Sequence, residues 1–450
     1  MFCWEIDWRA PYTAFAPLAG KPHAHLLHGG DHARSQWSII AAFPSHVFTC
    51  GDDGDRWLKD VQDAIDGRTQ NNLTGESNCD AWPLPKAAPF TSGLIGYVGY
   101  EALQSTEPSL DLPQSPHALP NGVFGVYDCA AVFSREDRRA FIVGRDEAAG
   151  RQLRDALGRE RPSAPSLPKF SAPNANFTQS EYENAVRDVI ARIEDGDFYQ
   201  VNIAQRLSVT TDDPYQPYDL FRIMAARSDA PFAACLHYAD GVIVSNSPER
   251  FFRVSNGANG IRRIVTEPIK GTRPRGKNVT EDEALQRDLL ADPKDRAENI
   301  MIADLLRNDL SKVCKDGSIK EDAVCELLSI SSVHHLVSRI SGALRDGVTV
   351  TDIFRALFPC GSITGAPKIA AMEVIADVEQ SGRGPYCGAI GYINDNGDAD
   401  FSVAIRTLIA DRQLQSVSIP VGGGITLRSN PKAEYQETLT KAQSALDALL

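Results

Sequence analysis

The spacing of apolar residues along this chain changes several times, and each change predicts an element. In SEYENAVRDVIARIEDGD, Ala185, Val186, Val189, Ile190 and Ile193 recur at helical spacing behind a Ser/Thr-type cap, which predicts an amphipathic helix. QVNIAQRLSVT follows and predicts a strand. DPKDRAENIMIADLLRNDL and PKAEYQETLTKAQSALDALL predict two further long helices, while GAIGYI, DADFSVAIRTLIA and QSVSIPVGG predict strands. Toward the N-terminus, GLIGYVGYEA, GVFGVYDCAAVF and RRAFIVG read as short strands, closed by a helical EAAGRQLRDALGRE.

Between these halves, residues 158–178 hold four prolines, four serines or threonines and no apolar period. That composition predicts a linker or long surface crossing between a β-rich region, 1–157, and a larger region, 179–450. Helices clustered beside hairpin-like strands point to an α+β architecture rather than alternating βαβ units.

Composition narrows the function classes. At 450 residues the chain can bury a large core, and a net charge of −13 argues against nonspecific nucleic-acid binding. An anionic small substrate stays open, because local cationic pockets survive in an acidic protein. The nine cysteines are scattered without a CxxC pair, which favours reduced thiols over disulfides or a zinc site. Neither a signal peptide nor a membrane span is evident, so a cytoplasmic enzyme is expected.

Several clusters can carry chemistry. Asp295 and Glu298 are three apart on one predicted helix, and Glu434 and Glu437 on another, so each pair shares a helical face. If the helices face each other, the carboxylates suit a hard cation such as Mg²⁺. On spacing alone, two solvated acidic faces remain the ordinary reading. LFPCGSITGAPKIAAME brings glycines, Ser362 and Thr364 to a helix entrance, where backbone N–H groups can hold an anion or simply cap a helix. Gly422–Gly424 permits close backbone approach but is by itself no more than a turn. His335, Tyr386 and Arg406 are single polar residues in strand-like or apolar runs, where a satisfied core or sheet-edge group is the ordinary reading; Glu249 directly follows a strand-like run, where a loop could aim it into a cleft or leave it a surface carboxylate. In TEPIKGTRPRG, Lys270 stands on a short stretch with Arg273 and Arg275, either as a surface charge or as an amine held for reaction. No Walker A, GxGxxG, GxSxG or GxCxG motif is present, so neither a nucleotide site nor glutamine hydrolysis by this chain is expected.

Taken in order, SPERFF, PIKGTRPRG, DRAENIMIADLLRNDLSKVC, HHLVSRISG, FPCGSITGAPKIAAMEVI, RGPYCGAIGYI, FSVAIRT and GGGIT…AEYQET resemble the chorismate-utilising enzymes, and among them the aminodeoxychorismate synthase component I branch. The resemblance is dense over about 180–445 and looser before it. It implies a cleft between two antiparallel sheets with helices outside. It further implies that Glu298 and Glu437 coordinate Mg²⁺, with Asp295 and Glu434 close by. Tyr386, Arg406, Lys441 and the Gly423–Gly424 backbone would hold the enol-pyruvyl carboxylate of chorismate. His335 and Ser362 would line the ring-carboxylate side with Thr364 nearby, and Glu249 would protonate the leaving hydroxyl.

Two positions separate members of the family by nucleophile. Where isochorismate and salicylate synthases carry a water-activating lysine, this chain has Gln200. Where anthranilate synthases carry alanine, it has Lys270, the mark of the aminating branch. The resemblance therefore implies covalent addition of Lys270 and then attack by ammonia, supplied by a glutamine amidotransferase subunit. Arg273 and Arg275 are candidate cations for favouring the neutral amine. Two features depart from the pattern: Glu267 has no role, and LLHGGDHARSQWSII matches only loosely the segment where anthranilate synthases bind tryptophan, so tryptophan regulation is not expected. No fused lyase is expected either.

Overall fold

The computed structural model describes residues 1–29, 36–73, 88–104, 107, 109–227, 230–257, 260–330 and 333–450. Helix positions follow the sequence pattern closely, because their ends are specified by local chemistry. The helix Gln179–Glu194 opens on a capping box, Thr178 with Glu181, and buries Tyr182, Val186 and Val189. Those three pack on Val201, Ile203 and Ile425, at about 1.5–3 kcal/mol for each large apolar side chain removed from water. Pro293–Ser311 is capped by the Asp292 carboxylate, and Pro431–Leu449 by the Asn430 side chain; both carry proline at the first turn. Four further helices, Gly54–Leu73, Pro217–Arg227, Val279–Ala291 and Val350–Leu357, were not anticipated, although in the first Trp57, Leu58, Val61 and Ile65 mark a buried stripe.

Two antiparallel sheets form the frame. Among the described residues the larger has twelve strands and the smaller ten. Gln200–Thr210 runs the full length of Ser416–Thr426 in the larger sheet, while Ile269–Pro274 and Val333–Ala343 pair at one end of the smaller. The sheets pack face to face through residues such as Leu236, Ile243 and Ile409 from one and Tyr97, Val123 and Ile390 from the other. The expected α+β sandwich is the fold observed.

Strands from both sides of 158–178 share each sheet. His25–His28 pairs with Phe232–His237, and Gly93–Val98 pairs with Ala389–Asn394. Residues 158–173 carry no helix or strand, so the segment crosses the surface between parts of one composite structure.

Two predicted strands divide. GVFGVYDCAAVF splits at Asp128 into Gly122–Tyr127 of the smaller sheet and Cys129–Ser134 of the larger. DADFSVAIRTLIA splits into Ala399–Val403 and Thr407–Asp411, again in different sheets, with Arg406 between them at φ 53°. An apolar run buried on both faces looks the same whether it stays in one sheet or changes sheets. Cys50, Cys129, Cys235, Cys314, Cys325, Cys360 and Cys387 are buried free thiols, in keeping with the reduced reading; Cys79 lies outside the described residues. No described helix is long and apolar enough to cross a membrane.

Candidate active site

A cleft of about 670 Å³ opens where the ends of both sheets meet the N-terminal turns of Pro293–Ser311 and Pro431–Leu449. Glu249, Lys270, Asp295, Glu298, His335, Ser362, Tyr386, Arg406, Gly424, Glu434, Glu437 and Lys441 line it. Thr364 does not: its hydroxyl is turned to the Cys360 carbonyl at 3.1 Å, and only its neighbours Ser362 and Ile363 reach the cavity. Gly423 stands behind the wall, where an added Cβ would fall 3.3 Å from Glu434 Oε2 and 3.7 Å from Glu437 Oε1.

Lys270 projects from a strand irregularity. The register of Ile269–Pro274 on its neighbour slips between Lys270 and Thr272, and Gly271 in between has φ +74°. Such a bulge re-aims side chains, and the glycine is required because a Cβ would press on Asp295 and Leu289 at 3.0 Å. The Lys270 amine donates to the Ser362 carbonyl at 3.2 Å, and the Ser362 hydroxyl donates to Glu249 Oε1 at 2.6 Å. Amine and carboxyl are thereby anchored on one residue. Burial pushes the Glu249 carboxyl up to about 7, against the opposing pull of the Ser362 bond and the Lys270 charge. An acid so poised can donate a proton near neutral pH.

Gln200 faces the same point. A Cβ on Gly424 would lie 2.4 Å from Gln200 Nε2 and 3.7 Å from Lys270 Nζ, so the missing side chain leaves room for both. The Gln200 Oε1 is buried without a hydrogen-bond partner. His335 Nδ1 lies 3.3 Å from the Gly271 carbonyl and 3.0 Å from Thr272 Oγ1. A carbonyl only accepts, so Nδ1 carries the ring proton and Nε2 is left as an acceptor. Burial holds this histidine down at about 4, hence neutral.

The acidic helices bring Asp295 and Glu434 to their first turns, where the helix end favours negative charge, and Glu298 and Glu437 one turn further along the same faces. Burial raises Glu298 and Glu434, and Glu298 Oε1 has no hydrogen-bond partner. Lys294 stands between them, 3.8 Å from Glu298 and 4.0 Å from Glu434. Although burial opposes it, the Lys441 ammonium at 2.7 Å holds Glu437 below the ordinary range. Asp295 is turned to Arg273 at 3.0 Å. Among the described residues no three carboxylate, histidine or cysteine side chains converge as a ready-made ion site. The oxygen donors and the orphaned Glu298 oxygen nevertheless suit a hard cation, which would take over the neutralising work of the lysines.

Next to Glu437, Arg406 donates to the Lys441 carbonyl at 3.0 Å, and Lys441 Nζ donates to the Gly422 carbonyl at 2.8 Å. These cations, beside the buried Tyr386 phenol, offer a carboxylate site. Of the two arginines expected near the amine, Arg273 lines the cleft but is bonded by Asp288, Asp292 and Asp295, while Arg275 is outside the lining and is held by Asp282 at 2.9 Å. Their charge is offset by these aspartates rather than directed at Lys270. Glu267 gains an explanation. It accepts from the buried Arg250, which also holds Asp400, and from Arg339 at 2.8 Å. It belongs to the wall of the smaller sheet and does not line the cleft.

Sequence reasoning missed Asn202, Thr272 and Lys294 as cleft residues. Lys294 was legible as the i, i+4 partner of Glu298, and Asn202 as the same-face neighbour of Gln200. A second cavity, about 400 Å³, lies between the sheets beside Trp37, Arg250 and Tyr392. Its wall contains no amine–carboxyl pair like that of Lys270 and Glu249. The loosely matching segment LLHGGDHARSQWSII borders it, and residues 30–35 of that segment lie outside the described residues.

The family description "chorismate binding enzyme" matches residues 29–447. Aminodeoxychorismate synthase component 1 from Klebsiella aerogenes is 36% identical, over 99% of this chain and 98% of that protein. Anthranilate synthase component 1 from Synechocystis sp. is 31% identical, over 99% and 94%. The crystal structure of anthranilate synthase component I from Streptococcus pneumoniae covers 92% of this chain and 93% of its own, with a TM-score of 0.75 and 27% identity. The menaquinone-specific isochorismate synthase from Escherichia coli shares the fold, covering 100% and 94% with a TM-score of 0.74 at 16% identity. With its cleft built on the ordered sequence blocks and the family match spanning nearly the whole length, the chain belongs to the chorismate binding enzymes.

Proposed function

We propose that this chain is component I of an aminodeoxychorismate synthase, converting chorismate and ammonia to 4-amino-4-deoxychorismate on the way to p-aminobenzoate and folate. The observation that carries the reading is the shared anchor: Lys270 at 3.2 Å and Glu249 at 2.6 Å both bond Ser362 within the cleft. A nucleophile and a proton donor fixed to one residue can act on the two ends of the conjugated path from C2 through C1, C6 and C5 to C4. The neutral amide of Gln200 in the same corner cannot serve as a base for water.

In the proposed sequence the Lys270 amine forms a bond to ring carbon C2. Both ring double bonds shift, C1=C2 to C1=C6 and C5=C6 to C4=C5, the C4–O bond breaks, and Glu249 gives its proton to the departing hydroxyl, which leaves as water. Ammonia then bonds to C4, both double bonds return, the C2–N bond breaks to release the neutral Lys270 amine, and the new C4 ammonium returns one proton to the Glu249 carboxylate. One hydroxyl is exchanged for one amine, and the enol-pyruvyl group is kept. Arg406, Lys441 and Tyr386 would hold the enol-pyruvyl carboxylate, while His335 and Ser362 would line the ring-carboxylate side. Glu298 and Glu437 are the proposed ligands for Mg²⁺, with Glu434 and Asp295 beside them; when bound, the ion supplies charge neutralisation for the ring carboxylate. The "component 1" naming of the relatives supports a partner subunit, for which a glutamine amidotransferase supplying ammonia is proposed.

The second reading is anthranilate synthase component I, favoured by relatives of that name at 31–33% identity. Purified chain given chorismate, Mg²⁺ and an ammonium salt is expected to form 4-amino-4-deoxychorismate without pyruvate. Anthranilate with equimolar pyruvate would reject the proposal. Lys270→Ala is expected to lower amination by roughly 10³-fold or more, read by chromatography of the products; an unchanged rate and product would reject the covalent step.

A further inference from the structure

The strand Gln200–Thr210 has a gap along one edge. On that side Gly365–Ala366 pairs only with Gln200 and Val201, and Asn174–Ala175 only with Leu207 and Ser208. Between them, Asn202 N–H donates to the Thr364 carbonyl at 2.7 Å, and a buried ion pair fills the next positions. Ala204 N–H donates to Glu379 Oε1 at 2.8 Å, and Arg383 donates to the Asn202 carbonyl at 2.8 Å. The same guanidinium forks onto both oxygens of Glu379, at 3.0 and 2.6 Å, and reaches the Ile363 carbonyl at 2.9 Å. Its own backbone is clamped by Glu101, which accepts from Arg383 N–H at 2.6 Å and Gly384 N–H at 2.9 Å. Arg383, Glu379 and Glu101 are 5%, 7% and 6% exposed.

Such a buried cluster is a poor device for stability alone, since desolvating the charges offsets much of their attraction. Its geometry does something an apolar plug would not. The planar fork ties the Asn202 strand and the Ile363 loop to the turn that carries Arg383 itself, and all three reach the cleft. Asn202 and Ile363 line the cavity, Ile363 adjoins Ser362, and the turn begun at Arg383 delivers Tyr386. We propose that Arg383 is a positioning residue for the chorismate cleft, holding the Asn202 strand, the Ser362 loop and the Tyr386 turn in mutual register. The proposal rests on the chorismate reading of the cleft but not on which amine product forms.

The test compares Arg383→Lys and Glu379→Gln with wild type in the full chain. Lysine keeps the charge and can reach Glu379, but it loses the fork onto Asn202 and Ile363. Both variants are expected to fold, by circular dichroism and thermal unfolding. Chorismate consumption, counted whatever the product, should fall roughly 100-fold in kcat/KM for Arg383→Lys, with KM raised. The alkaline limb of its pH profile should also move upward, because a loosened Ser362 no longer favours the Glu249 carboxylate. Folded variants with wild-type KM and an unmoved alkaline limb would overturn the proposal, whatever happens to Tm. Failure of both variants to fold would overturn it too, in favour of a folding role. Wild-type chain that neither binds nor consumes chorismate would reject the reading of the cleft itself, an outcome visible before any variant is compared.

Discussion

Glu249 owes its acidity to burial more than to any neighbour. Because burial penalises the carboxylate, the group keeps its proton up to about pH 7, where an exposed glutamate has lost it. The acid step requires the protonated form, so kcat/KM is expected to fall as pH rises above about 7. A pH profile extended to pH 9 checks this. Glu249→Gln should remove the limb and cost roughly 10²–10⁴ in rate, and a limb that persists in the variant would assign it elsewhere. At this scale the residue types and their order were legible in the sequence, since short blocks name Lys270, Glu249 and Ser362. What those residues touch was not. The hydrogen bond between Ser362 and Glu249 spans 113 positions of chain, and no local pattern reports it.

The elements explain why the side chains point as they do. Gly271, at positive φ inside a register slip, turns Lys270 and Thr272 toward the cleft together. Gly271→Ala should cost about 1–3 kcal/mol from backbone strain and also lower amination, since the 3.0 Å approach of Asp295 leaves no room for a methyl. Urea denaturation measures the first and product formation the second. Across the neighbouring hairpin, Arg250 and Glu267 are partners in register. Arg250→Met would leave Glu267 and Asp400 without their shared cation and is expected to destabilise the fold by about 3–5 kcal/mol, again read from the urea midpoint. A change below 1 kcal/mol would mean that Arg339 alone neutralises Glu267. Helices were legible at this scale because caps and period are local. Strand membership was not, as GVFGVYDCAAVF and DADFSVAIRTLIA each feed two sheets.

For the whole molecule, the cleft is a junction: two acidic helices, both sheets and the turn from Arg383 to Tyr386 contribute to it. A cation that binds only this assembled junction must stabilise the fold by mass action. Mg²⁺ is therefore expected to raise Tm relative to sodium at equal ionic strength, and chelation should reverse the shift. Glu298→Gln and Glu437→Gln should abolish it; an equal shift in those variants would place the ion elsewhere. The sequence alone determined the long helices that carry the site acids and the inventory of acids, cations and amine, because each depends on residues a few positions apart. Only the tertiary structure decided how strands divide between sheets, why Glu267 is present and which cations are offset by aspartates. Those outcomes depend on partners tens to hundreds of residues away, chosen by burial and hydrogen bonding that no local pattern encodes.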